Sequence, residues 1–147
     1  MVSHVFKAHL LAPPALAEEE IGSAFAPLPP AGAGKDLVVV KSNRIEVHRI
    51  TEEGFEQGQV FDIADRIKIC APVARPGAGE DLLFVVTAQN HAMLLGCKEG
   101  RMNTLSHGDL SESTQYEERQ RPVCLVDPLA RFVAVLLDKS QVRVLPL

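Results

Sequence analysis

The residues that could bind phosphate in this chain lie at Gly32-Ala33-Gly34-Lys35. A phosphate-binding loop needs Gly at the first position of G-x-x-x-x-G-K-[ST], a hydroxyl side chain after the Lys, and a helix that follows. Here the first position is Pro29, Asp36 follows the Lys, and an apolar run typical of a strand comes next. The sequence therefore argues against nucleotide binding at this segment.

Histidines and hydroxyl groups offer two further kinds of chemistry. His48 and His91 occupy similar positions in two similar segments, but metal sites need tighter spacing or a convergent set of ligands. Residues 106–109 (SHGD) contain the residue types of a nucleophilic triad. Neighbours along a strand point to opposite faces, so we interpret this segment as a polar turn.

Carboxylates are the remaining candidates for catalysis. Adjacent pairs occur in polar segments that we expect to be exposed loops: Glu18-Glu19-Glu20, Glu52-Glu53 and Glu117-Glu118. A general acid with a raised pKa needs apolar surroundings that these segments lack. We therefore expect no catalytic residue, no metal site and no cofactor, and we predict that the protein is not an enzyme.

The composition is that of one globular domain of 147 residues, of which 46% are apolar and 23% charged. A net charge of −4 and few aromatic residues argue against direct nucleic-acid binding. Neither a membrane-spanning apolar run nor a signal peptide is recognisable. Cys70, Cys97 and Cys124 lie in apolar runs and are expected to be core residues in a reducing compartment. We predict a cytosolic or nuclear protein that contacts no membrane.

Three segments with one shared pattern organise the chain. Each has a run of large aliphatic, β-branched or aromatic residues, a short turn, and an apolar return strand, which predicts a buried hairpin. The segments are residues 36–50, 81–97 and 131–147, with turns at Ser42-Asn43, Gln89-Asn90 and Asp138-Lys139-Ser140. The first strands of these hairpins begin near residues 36, 82 and 132, which is a spacing of 46 and then 50 residues.

The segments between the hairpins predict shorter elements. Strands are expected at residues 1–11, 57–63, 66–70, 102–107 and 122–126. In the third of these, Ile67 and Ile69 should both point inward. Residues 15–25 are expected to form a helical turn or a solvated loop, residues 27–34 a Pro/Gly-rich spacer, and residues 72–80 and 108–120 loops.

A β-propeller blade consists of four strands in ~40 to 50 residues, which matches this spacing. We predict an all-β fold, a partial WD40-like β-propeller of about two and a half to three four-stranded blades. Residues 1–35 would be an N-terminal strand plus the Pro/Gly-rich spacer, and residues 36–147 the first blades of an N-terminal propeller. Propellers close with ~4 to 8 blades, so we expect the chain to be truncated and part of a longer protein. The middle hairpin should then have neighbours on both sides.

The hairpins also carry a resemblance to a known family. Its Leu-rich strand, Lys-x-x-Arg turn and Glu-containing return strand are met at Leu37, Lys41, Arg44 and Glu46. Its Asp-Leu-Leu-Phe strand followed by Thr-Ala is met at residues 81–88, and further matches are His107-Gly108, Asp127-Pro128 and residues 144–147. The sequence resembles the first propeller of the family of the damage-specific DNA-binding protein large subunit, the adaptor of cullin-4 ubiquitin ligases. It departs from that family at residues 12–34, where the spacer replaces an expected strand.

The resemblance implies a nuclear, and also cytoplasmic, non-catalytic scaffold that links substrate receptors to the ligase in DNA repair and proteolysis. Two sister families share this propeller, the large subunits of the cleavage and polyadenylation specificity factor and of a splicing factor. The alternative is therefore an RNA-processing scaffold that binds nucleic acid within its complex. The implied partners are substrate receptors, ligase or RNA-processing subunits, and the remaining blades of the longer protein, with nucleic acid reached only through the complex. The matched motifs contain no receptor-contact residue.

Overall fold

The computed structural model describes residues 20–26 for the backbone, and residues 36–78, 80–98, 101–110, 122–137 and 142–147 in full. Every regular element in these ranges is a β-strand. The strands are β1 Glu20–Ala26, β2 Asp36–Lys41, β3 Arg44–Thr51, β4 Gly54–Asp62, β5 Ile67–Val73, β6 Leu82–Thr87, β7 His91–Lys98, β8 Arg101–Asp109, β9 Val123–Val126, β10 Phe132–Leu136 and β11 Val142–Pro146. The described residues contain no helix long and apolar enough to cross a membrane.

The strands form three antiparallel sheets, each of which follows the chain order. The first sheet is β1-β2-β3-β4, the second is β5-β6-β7-β8, and the third is β9-β10-β11. Each sheet is therefore a meander of consecutive hairpins, which is the construction of a propeller blade. The predicted all-β partial propeller is confirmed.

The three predicted hairpins are all present, as β2–β3, β6–β7 and β10–β11. The first turns at Ser42-Asn43 as predicted. The second turns one residue earlier than predicted, at Ala88-Gln89, and Asn90 follows with φ of 63°. Asn is one of the few residue types that adopt this left-handed conformation readily. The predicted turn at 138–140, the predicted strand at 1–11, the spacer at 27–34 and the Gly32–Lys35 segment lie outside the described residues.

Strand β1 corrects two predictions. The helical turn or loop expected at residues 15–25 is wrong for the described part, and a strand does exist within residues 12–34. Its backbone pairs with β2 from Ala26 opposite Asp36 to Glu20 opposite Lys41. The local sequence, with Gly22, Ser23 and Ala24, has little strand preference of its own. Pairing with the strongly apolar β2 therefore determines this strand.

Two other strands run further than predicted. Strand β5 continues into the segment expected to be a loop, and Pro72 lies opposite Leu83. Proline is compatible with this position because β5 is the edge strand of its sheet. Strand β8 extends to Asp109, with His107 opposite Met93 on β7. The polar turn predicted at residues 106–109 is therefore wrong.

Two apolar cores lie between the three sheets. The first core joins the first and second sheets, and the second core joins the second and third sheets. All six residues of β6 are buried. Leu83 and Val85 point into the first core, whereas Leu82, Phe84 and Val86 point into the second. The prediction that the middle hairpin has neighbours on both sides is confirmed.

A bulge in β5 assigns its two isoleucines to different cores. Ile67 lies opposite Thr87 and Ile69 lies opposite Val86, so Lys68 is an extra residue in the ladder. Both isoleucines are buried as predicted, but Ile67 belongs to the first core and Ile69 to the second. The simple alternation expected from the sequence is thus broken at Lys68.

A bulge in β4 directs Gln59 from the first sheet to the second. Two β4 residues, Gly58 and Gln59, face the single residue Val47 of β3. The Gln59 Oε1 atom accepts a hydrogen bond from the Met102 backbone N–H at 2.8 Å, and its Nε2 atom lies 3.6 Å from the Cys97 Sγ atom. Bulges commonly re-aim a side chain in this way. Gln59 is therefore a polar link between the outer strands of two blades.

Replacing Gln59 by Ala is expected to lower the free energy of unfolding by about 1–2 kcal/mol, because it leaves the backbone N–H of the buried residue Met102 without its acceptor. Urea denaturation followed by circular dichroism measures this change. Gln57→Ala, on the exposed part of the same strand, is the control and should change it by less than about 0.5 kcal/mol. Equal effects of the two substitutions would contradict the assigned role.

Candidate protein-interaction surface

The third sheet presents an apolar face that no other described element covers. Val133 and Val135 of β10 point into the second core, so alternation turns Ala134 outward between Leu125 of β9 and Val144 of β11. We call this surface the outer face. Its residues are Val123, Leu125, Phe132, Ala134, Leu136, Val142, Val144 and Pro146.

The outer face exposes large side chains that the other sheets bury. Leu125 and Val144 are 69% and 62% exposed, and Val123 and Val142 are exposed to a similar degree. The corresponding face of the second sheet, which carries Phe84, is covered by the third sheet. A contiguous apolar patch of this kind marks an interaction site on a protein surface.

The edge of β11 adds backbone groups to this surface that no strand among the described residues pairs with. The Leu147 backbone N–H donates to the Arg131 carbonyl oxygen at 3.0 Å. Because antiparallel ladders alternate, Val142 and Val144 must turn their N–H and C=O groups to the opposite edge. The first and second sheets have a fourth strand there, whereas the described part of the third sheet ends at β11. The surface can therefore accept both a sheet face and a strand.

A charged clamp fixes the turn before β10. The Asp127 carboxylate accepts hydrogen bonds from the Arg131 backbone N–H at 3.0 Å, and from Nε and Nη2 of its guanidinium, each at 2.8 Å. These hydrogen bonds hold the pKa of Asp127 well below its usual range. The Arg131 side chain stays 65% exposed, with its Cζ atom 5.9 Å from the centroid of the Phe132 ring. The clamp gives the Asp127-Pro128 motif a structural role that its sequence did not reveal.

The residues of the Lys-x-x-Arg motif form ion pairs on the outward side of the first sheet. Lys41 Nζ lies 2.7 Å from Glu46 Oε1, His48 Nε2 lies 3.2 Å from Glu46 Oε2, and Arg44 Nε lies 2.8 Å from Asp62 Oδ1. The Glu46 side chain is only 10% exposed. Burial acts to raise its pKa, but hydrogen bonds and charges from Lys41 and His48 outweigh that effect, so the pKa of Glu46 is lowered. The motif thus builds a compensated charge network.

The two histidines considered for metal binding, His48 and His91, contact different carboxylates. His48 contacts Glu46, whereas His91 Nε2 lies 3.9 Å from Asp109 Oδ2. Among the residues that the structure describes, no group of three or more His, Cys, Asp or Glu side chains could hold a metal ion. Ser106 and His107 are exposed on β8, and Glu52-Glu53 form the exposed turn between β3 and β4.

The three cysteines are free thiols of intermediate exposure, and Cys70 packs against the first core and Cys124 against the second. Burial, and secondarily the neighbouring Cys124, raises the pKa of Cys70 to about 12. Burial raises the pKa of Cys124 to about 11. Both thiols are therefore protonated at neutral pH and are poor nucleophiles.

We expect Cys70 and Cys124 to react with iodoacetamide at least about tenfold more slowly in the folded protein than in urea, since only the thiolate reacts and burial limits access. Mass spectrometry of the alkylated peptides, at about pH 8, measures both rates. Equal rates with and without urea would show that these side chains are not held as described.

Comparison with known proteins supports the assignment of the fold. Residues 1–147 match the family described as the RSE1/DDB1/CPSF1 first beta-propeller. The chain belongs to this family. The family resemblance identified from the hairpin motifs is thereby confirmed, and the three antiparallel sheets are consistent with part of a β-propeller.

Curated relatives cover a similar part of the chain. It is 24% identical over 119 residues to DNA damage-binding protein 1 of Drosophila melanogaster. This match covers 76% of the chain and 10% of the Drosophila protein. It is 25% identical over 113 residues to DNA damage-binding protein 1 of Solanum lycopersicum and to DNA damage-binding protein 1a of Arabidopsis thaliana, with the same coverage. The chain spans about a tenth of the length of these relatives.

Proposed function

We propose that this chain is part of a non-catalytic propeller scaffold. The scaffold resembles the adaptor of cullin-4 ubiquitin ligases and acts in DNA repair and proteolysis. The observation that carries the proposal is the outer face, an exposed sheet surface of aliphatic and aromatic side chains suited to packing against protein. Similarity to proteins named DNA damage-binding protein 1 from an insect and two plants favours this branch of the family.

The proposed partners follow from the same surface. Further blades of a longer polypeptide would pack on the outer face and pair with the edge of β11, and substrate receptors would bind the assembled propeller. Residues 1–35 would supply an N-terminal strand and spacer together with β1 of the first sheet, and residues 36–147 the rest of the first blades. The net charge of −4 favours contact with nucleic acid only through other subunits. The scaffold would act in the nucleus, and also in the cytoplasm.

A second candidate is an RNA-processing scaffold, because the matched family also includes the first propellers of RSE1 and CPSF1. The two candidates differ in their partners. Affinity purification of the tagged protein from its own cells, followed by quantitative mass spectrometry, separates them. Cullin-4 ligase subunits and substrate receptors should be enriched over an untagged control. Enrichment of polyadenylation or splicing factors without a cullin would transfer the assignment to the second candidate.

A further inference from the structure

No further inference is drawn: the strongest candidate, the turn between β6 and β7 where the buried side chains of Thr87 and Asn90 each keep an oxygen atom without a hydrogen-bond partner in the described part of the chain, carries nothing because no contact among the described residues joins the two atoms into one site or shows what would bind them.

Discussion

Leu83→Ala is expected to lower the free energy of unfolding by about 2–5 kcal/mol. Leu83 is fully buried in the first core, on a strand with a neighbouring strand at each edge and a packed sheet on each face. The surrounding side chains therefore have little freedom to collapse into the space that the substitution leaves. Urea denaturation followed by circular dichroism gives the difference directly.

The control for this substitution is Leu129→Ala, the same chemical change at a turn residue that is 61% exposed. It should alter the free energy of unfolding by no more than about 0.5 kcal/mol. A loss below about 1 kcal/mol for Leu83→Ala would mean that the second sheet is not packed on its first-core face as described.

Glu46→Gln is expected to lower the free energy of unfolding by about 1.5–3 kcal/mol at about pH 7. The substitution keeps the shape of the side chain but removes the charge that Lys41 faces at 2.7 Å in a nearly buried position. Asp62→Asn removes a charge from the exposed Arg44 pair and should cost less than about 1 kcal/mol. Equal losses of unfolding free energy in Glu46→Gln and Asp62→Asn would contradict the importance of burial at Glu46.

The pH dependence of the same variant has a defined sign. The pKa of Glu46 lies below its ordinary value of 4.5 in the folded protein, so its stabilising contribution is present above pH 4.5 and is lost as the pH falls through the folded-state pKa. Gln does not titrate. The stability difference between the wild type and Glu46→Gln should therefore shrink as the pH falls below 4.5.

The hairpins could be predicted because their information is local. Runs such as residues 82–86 identify a buried strand by composition, and Ser42-Asn43 identifies a turn by conformational preference. Strand β1 is not predictable from its own residues, because its pairing with β2 depends on a neighbouring strand and not on local strand preference. The sequence predicts a loop at Pro72 because it does not state which strands lie at an edge of a sheet.

The polar contacts were not predictable from spacing. Asp127 and Arg131 are four residues apart, a separation that suggests contact on a helix, yet they meet across a turn. Gln59 reaches Met102 only because of a bulge, and a bulge changes the phase of a strand without a distinctive residue. The apolar character of the outer face was visible in the sequence, whereas its exposure required the third sheet to be placed.

Because of the bulge at Lys68, the number of residues in β5 matters for packing independently of which residues they are. The strand consists of two pieces of opposite phase, one serving the core shared with the first sheet and one serving the core shared with the third. Deleting one residue there would restore a regular pleat and send one piece to the wrong side. Natural variation in this strand should therefore consist of exchanges of residue type, with insertions and deletions confined to the loops on either side.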